Sequence, residues 1–77
     1  MKNDTLQPLI SIITPSFNSE KTIRTTIESI LKLTYPSIEY IIVDGKSSDK
    51  TVETAESYRE ALEKRGISYH IVSYSAI

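Results

Sequence analysis

The sequence predicts an α/β fold: a βαβαβ chain whose three strands form one parallel sheet. Three observations predict it. Two runs dense in β-branched side chains, residues 9–14 and 38–43, read as buried strands. Between them Ile23, Ile27, Ile30 and Leu31 recur at the spacing of one helical face. A second helical stretch then leads into an alternating segment at residues 67–73. Right-handed crossovers turn that order into a parallel, three-layer-type sheet architecture.

Each element has its own justification. Residues 9–14, Leu-Ile-Ser-Ile-Ile-Thr, carry apolar side chains on both alternating faces, as a central parallel strand does, and Pro15 ends the run because it cannot donate to a ladder. Asn18 or Ser19 is placed to cap the helix that follows, with Glu20 in its first turn. Tyr35-Pro36 closes that helix. The second strand, 38–43, is expected to be buried on both faces and runs into Asp44-Gly45, where glycine supplies the dihedral freedom of a sharp exit. From about Asp49 one helix carries Val52, Ala55, Tyr58 and Leu62 inward and ends at Gly66. Residues 67–73 alternate as a strand nearer an edge. The chain divides into a disordered start (1–7), a core (8–73) and a tail (74–77) in which no signal is legible.

Composition bounds the function. With 77 residues the chain makes one small unit of modest stability. Nine basic against ten acidic side chains, a net charge of -1, mark no nucleic-acid or anionic-membrane surface, so no nucleic-acid partner is expected. The absence of cysteine removes disulfides, thiolate metal sites and thiol nucleophiles. The polar N-terminus shows no signal-peptide core and no run reaches membrane-spanning length, so a cytoplasmic chain, or one at the inner face of the membrane, is the expectation.

In a parallel sheet the loops that follow strand ends gather on one rim, so residues 15–18 and 44–50 are expected to be neighbours. The same topology leaves one sheet face without helices. Because the first two strands are apolar on both faces, with Ile10 and Ile12 opposite Leu9 and Ile13, and Ile41 and Val43 opposite Ile38, Tyr40 and Ile42, the bare face invites further polypeptide or self-association.

The rim holds the candidate chemistry. Asp44 is fixed at a strand end and can accept hydrogen bonds from ribose hydroxyls or a base N–H, or can simply shape the loop as a turn residue. Phe17, the only phenylalanine, can stack on an aromatic base or staple onto the first helix. Asn18 and Asp49 read as caps first and ligand contacts second, while Lys46, Lys50, Lys21 and Arg24 lie within reach of a diphosphate. His70 is placed in a strand with no partner in sequence and reads as structural. The first loop lacks the glycines of a dinucleotide fingerprint and the Gly-Lys-Ser/Thr of a P-loop, and no acidic pair follows the first strand as in a phospho-acceptor domain.

Three blocks in fixed order, Ser11-Ile-Ile-Thr-Pro-Ser-Phe-Asn18, Leu33-Thr-Tyr-Pro36 and Glu39-Tyr-Ile-Ile-Val-Asp-Gly-Lys-Ser-Ser-Asp-Lys-Thr51, resemble the opening of family 2 glycosyltransferases, the nucleotide-sugar enzymes of the GT-A (Rossmann-like) fold. The resemblance implies the donor-nucleotide-binding portion of an enzyme that transfers a sugar, with inversion, from a nucleotide-sugar such as a UDP-sugar to an acceptor hydroxyl in polysaccharide biosynthesis. It assigns nucleotide contacts to Pro15, Phe17, Asn18, Asp44, Gly45 and Lys46. It also implies a divalent metal, Mg or Mn, and a catalytic base whose carboxylates lie in later parts of the family's domain. The 77 residues are therefore expected to be inactive alone, with no catalytic or metal-binding residue among them. Relatives often carry a second acid where this chain has Gly45. The alternative is a non-catalytic nucleotide-binding or self-associating α/β fragment.

Overall fold

The computed structural model describes residues 7–74, so the expected start and tail lie, apart from Gln7 and Tyr74, outside the described residues. Strands β1 (Ile10–Ser16), β2 (Ile38–Asp44) and β3 (Ser68–Ser73) pair in parallel in the order β1-β2-β3. The register runs from Ile10 opposite Ile38 to Ser16 opposite Asp44, and from Glu39 opposite Ser68 to Asp44 opposite Ser73. Helices α1 (Ile23–Leu31), α2 (Thr51–Glu56) and α3 (Arg59–Lys64) fill the crossovers. The expected α/β order is present.

One sheet face carries the core. Ile38, Tyr40 and Ile42 of β2 pack with Ile23, Ile27 and Ile30 of α1, Ala55 of α2, Leu62 of α3, and with Ile67 and Tyr69. Tyr40 and Tyr69 stack with centroids 5.7 Å apart, and each buried phenol has a partner: Tyr40 donates to Thr14 Oγ1 and Tyr69 to the Ala55 carbonyl. On the opposite face Leu9 is 58% and Ile13 61% exposed. The expectation that β2 is buried on both faces is thus corrected. Glu39, Ile41 and Val43 are only half-buried, because all three helices pack on the other side.

The first strand is an edge strand within this sheet, not a central one, since the second crossover steps in the same direction as the first. Its edge position also explains why Pro15 does not end it. Ile10 N–H donates to Ser37 O and Ser16 O accepts from Gly45 N–H, so the even-numbered backbone groups of β1 face β2. Pro15 points its missing N–H at the outer edge, where no ladder bond is lost.

Helix ends differ from expectation for local reasons. α1 stops at Leu31, before Tyr35-Pro36. Its last turn tightens through Lys32 N–H to Ser29 O and Leu33 N–H to Ile30 O, and the Arg65 guanidinium takes the Leu31 and Leu33 carbonyls. The second helix is broken at Ser57–Tyr58. Ser57 Oγ donates back to Thr54 O, and both Ser57 and Tyr58 make i→i−3 backbone bonds that overwind the turn. At the far end Gly66, at φ 82°, sits where the chain must turn left-handed. Gly66 N–H bonds Glu63 O and Ile67 N–H bonds Leu62 O, the paired closure of a Schellman motif, with Leu62 and Ile67 both buried. His70 lies exposed on β3, with Nε2 3.6 Å from the Glu39 carboxylate.

Candidate nucleotide-binding rim

The loops after β1 and β2 meet at the carboxyl ends of their strands, as the topology requires, and they are bonded to each other at nearly every residue. Ser16 Oγ donates to Asp44 Oδ1 at 2.7 Å and Gly45 N–H to Ser16 O at 2.9 Å. Asn18 N–H donates to Ser47 Oγ at 2.8 Å, and Asn18 Oδ1 accepts from Ser48 N–H at 2.8 Å. Ser19 N–H donates to Thr51 Oγ1 at 2.7 Å. Glu20 N–H donates to Asp49 Oδ2, while Glu20 Oε1 accepts from Lys50 N–H, so each loop satisfies the other's free amides.

These bonds replace the caps expected from sequence. Asn18 and Ser19 place no side-chain cap on α1; Asn18, at φ 46°, reaches across to the second loop, and Ser19 Oγ bonds Phe17. Asp49 stands one residue before the N-cap position of α2, Lys50, and accepts Thr51 N–H with Oδ1 at 3.0 Å as a turn preceding the helix. The sharp exit from β2 falls on Lys46, at φ 61°, rather than on Gly45. At Gly45 a Cβ would stand 3.8 Å from the Phe17 ring, an ordinary contact, so neither space nor backbone conformation demands glycine there.

Asp44 is wholly buried beneath the rim. Oδ1 accepts from Ser16 Oγ and Ser47 Oγ, and Oδ2 accepts from Ser47 N–H at 2.8 Å. Burial pushes its carboxyl pKa up, but the three donors outweigh burial and hold it below the usual carboxylate value. Three of about four acceptor sites are filled from within the protein. In this geometry Asp44 is a latch between the loops.

Above it lies a groove of about 400 Å³ lined by Pro15, Ser16, Phe17, Val43, Gly45 and Tyr74, a size that suits a small ligand. Phe17 is 64% exposed, so it is not stapled onto α1. Of the residues expected from sequence, Pro15, Phe17 and Gly45 line the groove, Asp44 and Asn18 brace its margin, and Lys46 is exposed outside the lining. Lys21 and Lys50 are also exposed, whereas Arg24 is committed elsewhere: it donates to Tyr58 Oη at 2.9 Å and stacks over that ring. Ser16, Val43 and Tyr74 were not marked by sequence. The rule that strand-end loops converge reaches Tyr74 as well, since it directly follows β3 and its N–H donates to Asp44 O at 2.9 Å.

Among the described residues no three His, Cys, Asp or Glu side chains are grouped to hold a metal ion. The two rim aspartates spend their oxygens on internal donors. The described residues therefore do not fit the divalent metal implied by the resemblance. Likewise, among the described residues no helix is long and apolar enough to cross a membrane.

Comparison with known proteins bears on the same stretch. The family model described as glycosyl transferase family 2 matches residues 11–73, which contain all three strands almost entire. An uncharacterized glycosyltransferase of Rickettsia typhi is 44% identical over 62 residues, covering 80% of this chain and 20% of that protein. The UDP-Glc:alpha-D-GlcNAc-diphosphoundecaprenol beta-1,3-glucosyltransferase WfgD of Escherichia coli is 51% identical over 43 residues, 56% of this chain and 17% of the relative. The poly(ribitol-phosphate) beta-N-acetylglucosaminyltransferase TarS of Staphylococcus aureus is 39% identical over 54 residues, 68% of this chain and 9% of the relative. The chain thus spans a fifth or less of the length of these relatives. With the family model matching most of the chain and a relative 44% identical over 80% of it, the chain belongs to glycosyl transferase family 2.

Proposed function

We propose that this chain supplies the donor-nucleotide site of an enzyme that transfers a sugar from a nucleotide-sugar, with a UDP-sugar as the leading donor, to an acceptor hydroxyl. The observation that carries the reading is the open groove beside Phe17, floored by Pro15, Val43 and Gly45, on a rim that hydrogen bonds hold in one shape. A rim already ordered before the ligand arrives loses little entropy on binding. An exposed ring at the edge of an apolar floor suits the face of a nucleobase. WfgD takes UDP-Glc by its printed name, which supports the uridine donor. Its diphosphoundecaprenol-linked acceptor and the poly(ribitol-phosphate) named for TarS support a glycan or polyol-phosphate acceptor.

In the transfer itself, an acceptor oxygen forms a bond to the anomeric carbon as the bond from that carbon to the diphosphate breaks, inverting the centre. The acceptor proton passes to a carboxylate base. This chain's part is to bind and orient: Phe17 under the base, Asn18 and Lys46 at the loop margins, and Asp44 holding both loops in place. Neither the base catalyst nor metal ligands are assigned to its residues, and the chain alone is expected to bind without turnover.

Isothermal titration of the 77-residue chain with UDP and UDP-sugars tests the reading. Base stacking is worth about 1–3 kcal/mol, so Phe17→Ala is expected to weaken binding by about 5- to 150-fold with an unchanged circular dichroism spectrum. Equal affinity in the variant, or no heat of binding in the parent chain, overturns it.

A further inference from the structure

We propose that Tyr74 is the second aromatic wall of the groove, and that the base of a bound nucleoside diphosphate is held by its faces, between Phe17 and Tyr74, rather than read along its edge. The inference rests on the donor-site reading above and adds a residue and a mode of selectivity to it. Tyr74 leaves β3 at the rim, where its N–H bond to Asp44 O fixes the backbone one residue past the last paired position, Asp44 opposite Ser73. Its side chain stays 47% exposed while lining the same groove as Phe17. Two large rings, both anchored at the backbone and both open to solvent, therefore border one cleft.

The chemistry of the lining favours faces over edges. Pro15, Val43 and Gly45 offer no side-chain hydrogen-bonding group. Ser16, the one hydroxyl of the floor, is buried and already donates to Asp44 Oδ1. Asp44, the acid best placed to recognise a base N–H, has no exposed surface, and three internal donors occupy its carboxylate. The side-chain hydrogen-bonding group left in the lining is the Tyr74 phenol. Stacking is tolerant of base identity because every base has a π-face. The groove is thus built to prefer a planar base over none, and to discriminate weakly between pyrimidine and purine.

The test titrates the parent chain, Tyr74→Phe, Tyr74→Ala and Phe17→Ala with UDP and with GDP. Expected are a loss of about 5- to 150-fold in Tyr74→Ala for both nucleotides, retention within about twofold in Tyr74→Phe, and parent affinities for UDP and GDP within about tenfold of each other. Upfield shifts of the Tyr74 ring protons on adding UDP give a readout that does not depend on a variant folding. Binding that survives Tyr74→Ala, a UDP preference above about a hundredfold, or unmoved Tyr74 resonances overturns the proposal. If Phe17→Ala still weakens UDP binding under those outcomes, the donor-site reading stands without Tyr74. Absence of binding to the parent chain removes both.

Discussion

Removing the Asp44 carboxylate is the most demanding test of the rim, because it strikes the latch without touching the groove surface. In Asp44→Ala the Ser16 and Ser47 hydroxyls can turn toward other acceptors, but Ser47 N–H loses its partner in a part-buried site. A buried donor left unsatisfied costs about 1–3 kcal/mol, and two charge-assisted bonds from hydroxyls are lost with it, for a total of about 2–4 kcal/mol. A chain of 77 residues has a stability of roughly 4–12 kcal/mol at about 0.05–0.15 kcal/mol per residue. The loss is therefore a large fraction of the whole. In urea, with a slope of about 1 kcal/mol per M for a chain this small, the unfolding midpoint is expected to fall by more than about 1 M. Asp44→Asn keeps one acceptor oxygen and should fall between the alanine variant and the parent. A midpoint unchanged in Asp44→Ala refutes the latch.

The same carboxylate carries a pH signature whose sign follows from its environment. Its folded pKa is depressed below the ordinary 3.8 because three donors outweigh burial. Its stabilisation is then complete where Asp44 is ionised in both states, above about pH 5. As pH falls past the ordinary carboxylate value the unfolded chain takes the proton first, and the contribution disappears as the folded pKa is passed. Asp49, held down by Thr51 and Glu20 against burial, and Glu56, held down by Arg59, act in the same direction. Urea midpoints measured from pH 7 to pH 3 should decline in the parent chain and decline less in Asp44→Asn. Parallel curves would assign the acid limb to other groups.

Two glycine substitutions separate space from backbone conformation. A methyl at Gly45 meets Phe17 at ordinary contact distance, so Gly45→Ala should leave both stability and UDP affinity near parent values, whereas Gly45→Leu fills the groove and should abolish binding at unchanged thermal stability. Gly66→Ala has open space but a left-handed backbone, and should lower stability by about 1–2 kcal/mol, read from urea midpoints, with no effect on binding.

Much of the fold was legible because its signals were local and redundant. Ile23, Ile27 and Ile30 face the core as their spacing requires, and Gly66 stops α3 as a left-handed closing residue. What escaped the sequence depended on partners remote along the chain. Pro15 belongs in β1 because β1 is an edge, a fact set by where β3 pairs. The break at Ser57–Tyr58 is coupled to Tyr58, whose hydroxyl donates to Glu28 and accepts from Arg24 on α1. In the rim, sequence picked Asp44 and Phe17 by residue type and position, yet could not tell that the acid would be buried and the ring exposed. Ser16, Ser47 and Thr51 look like ordinary small polar residues until the crossover brings them opposite their acceptors and donors.

That last point bears on how the rim works. Small hydroxyl and carboxylate side chains are the residues one would select from sequence as ligand contacts, and here they are mostly consumed in joining one loop to the other: Ser16 and Ser47 on Asp44, Thr51 on Ser19, Asp49 and Glu20 on each other's loops. Consuming them fixes the backbone, and a fixed backbone can hold Phe17 and Tyr74 out in solvent without collapse, since the main chain next to each is tied to the neighbouring strand or loop. The polar residues thus set position, and in the proposed site the exposed rings are left to supply the ligand contact. Loosening the polar set should weaken nucleotide binding through disorder of the rings, with stability and affinity falling together. Trimming a ring should weaken binding with stability unchanged, and that divergence between Asp44→Ala and Phe17→Ala distinguishes a braced stacking site from a carboxylate that grips the ligand directly.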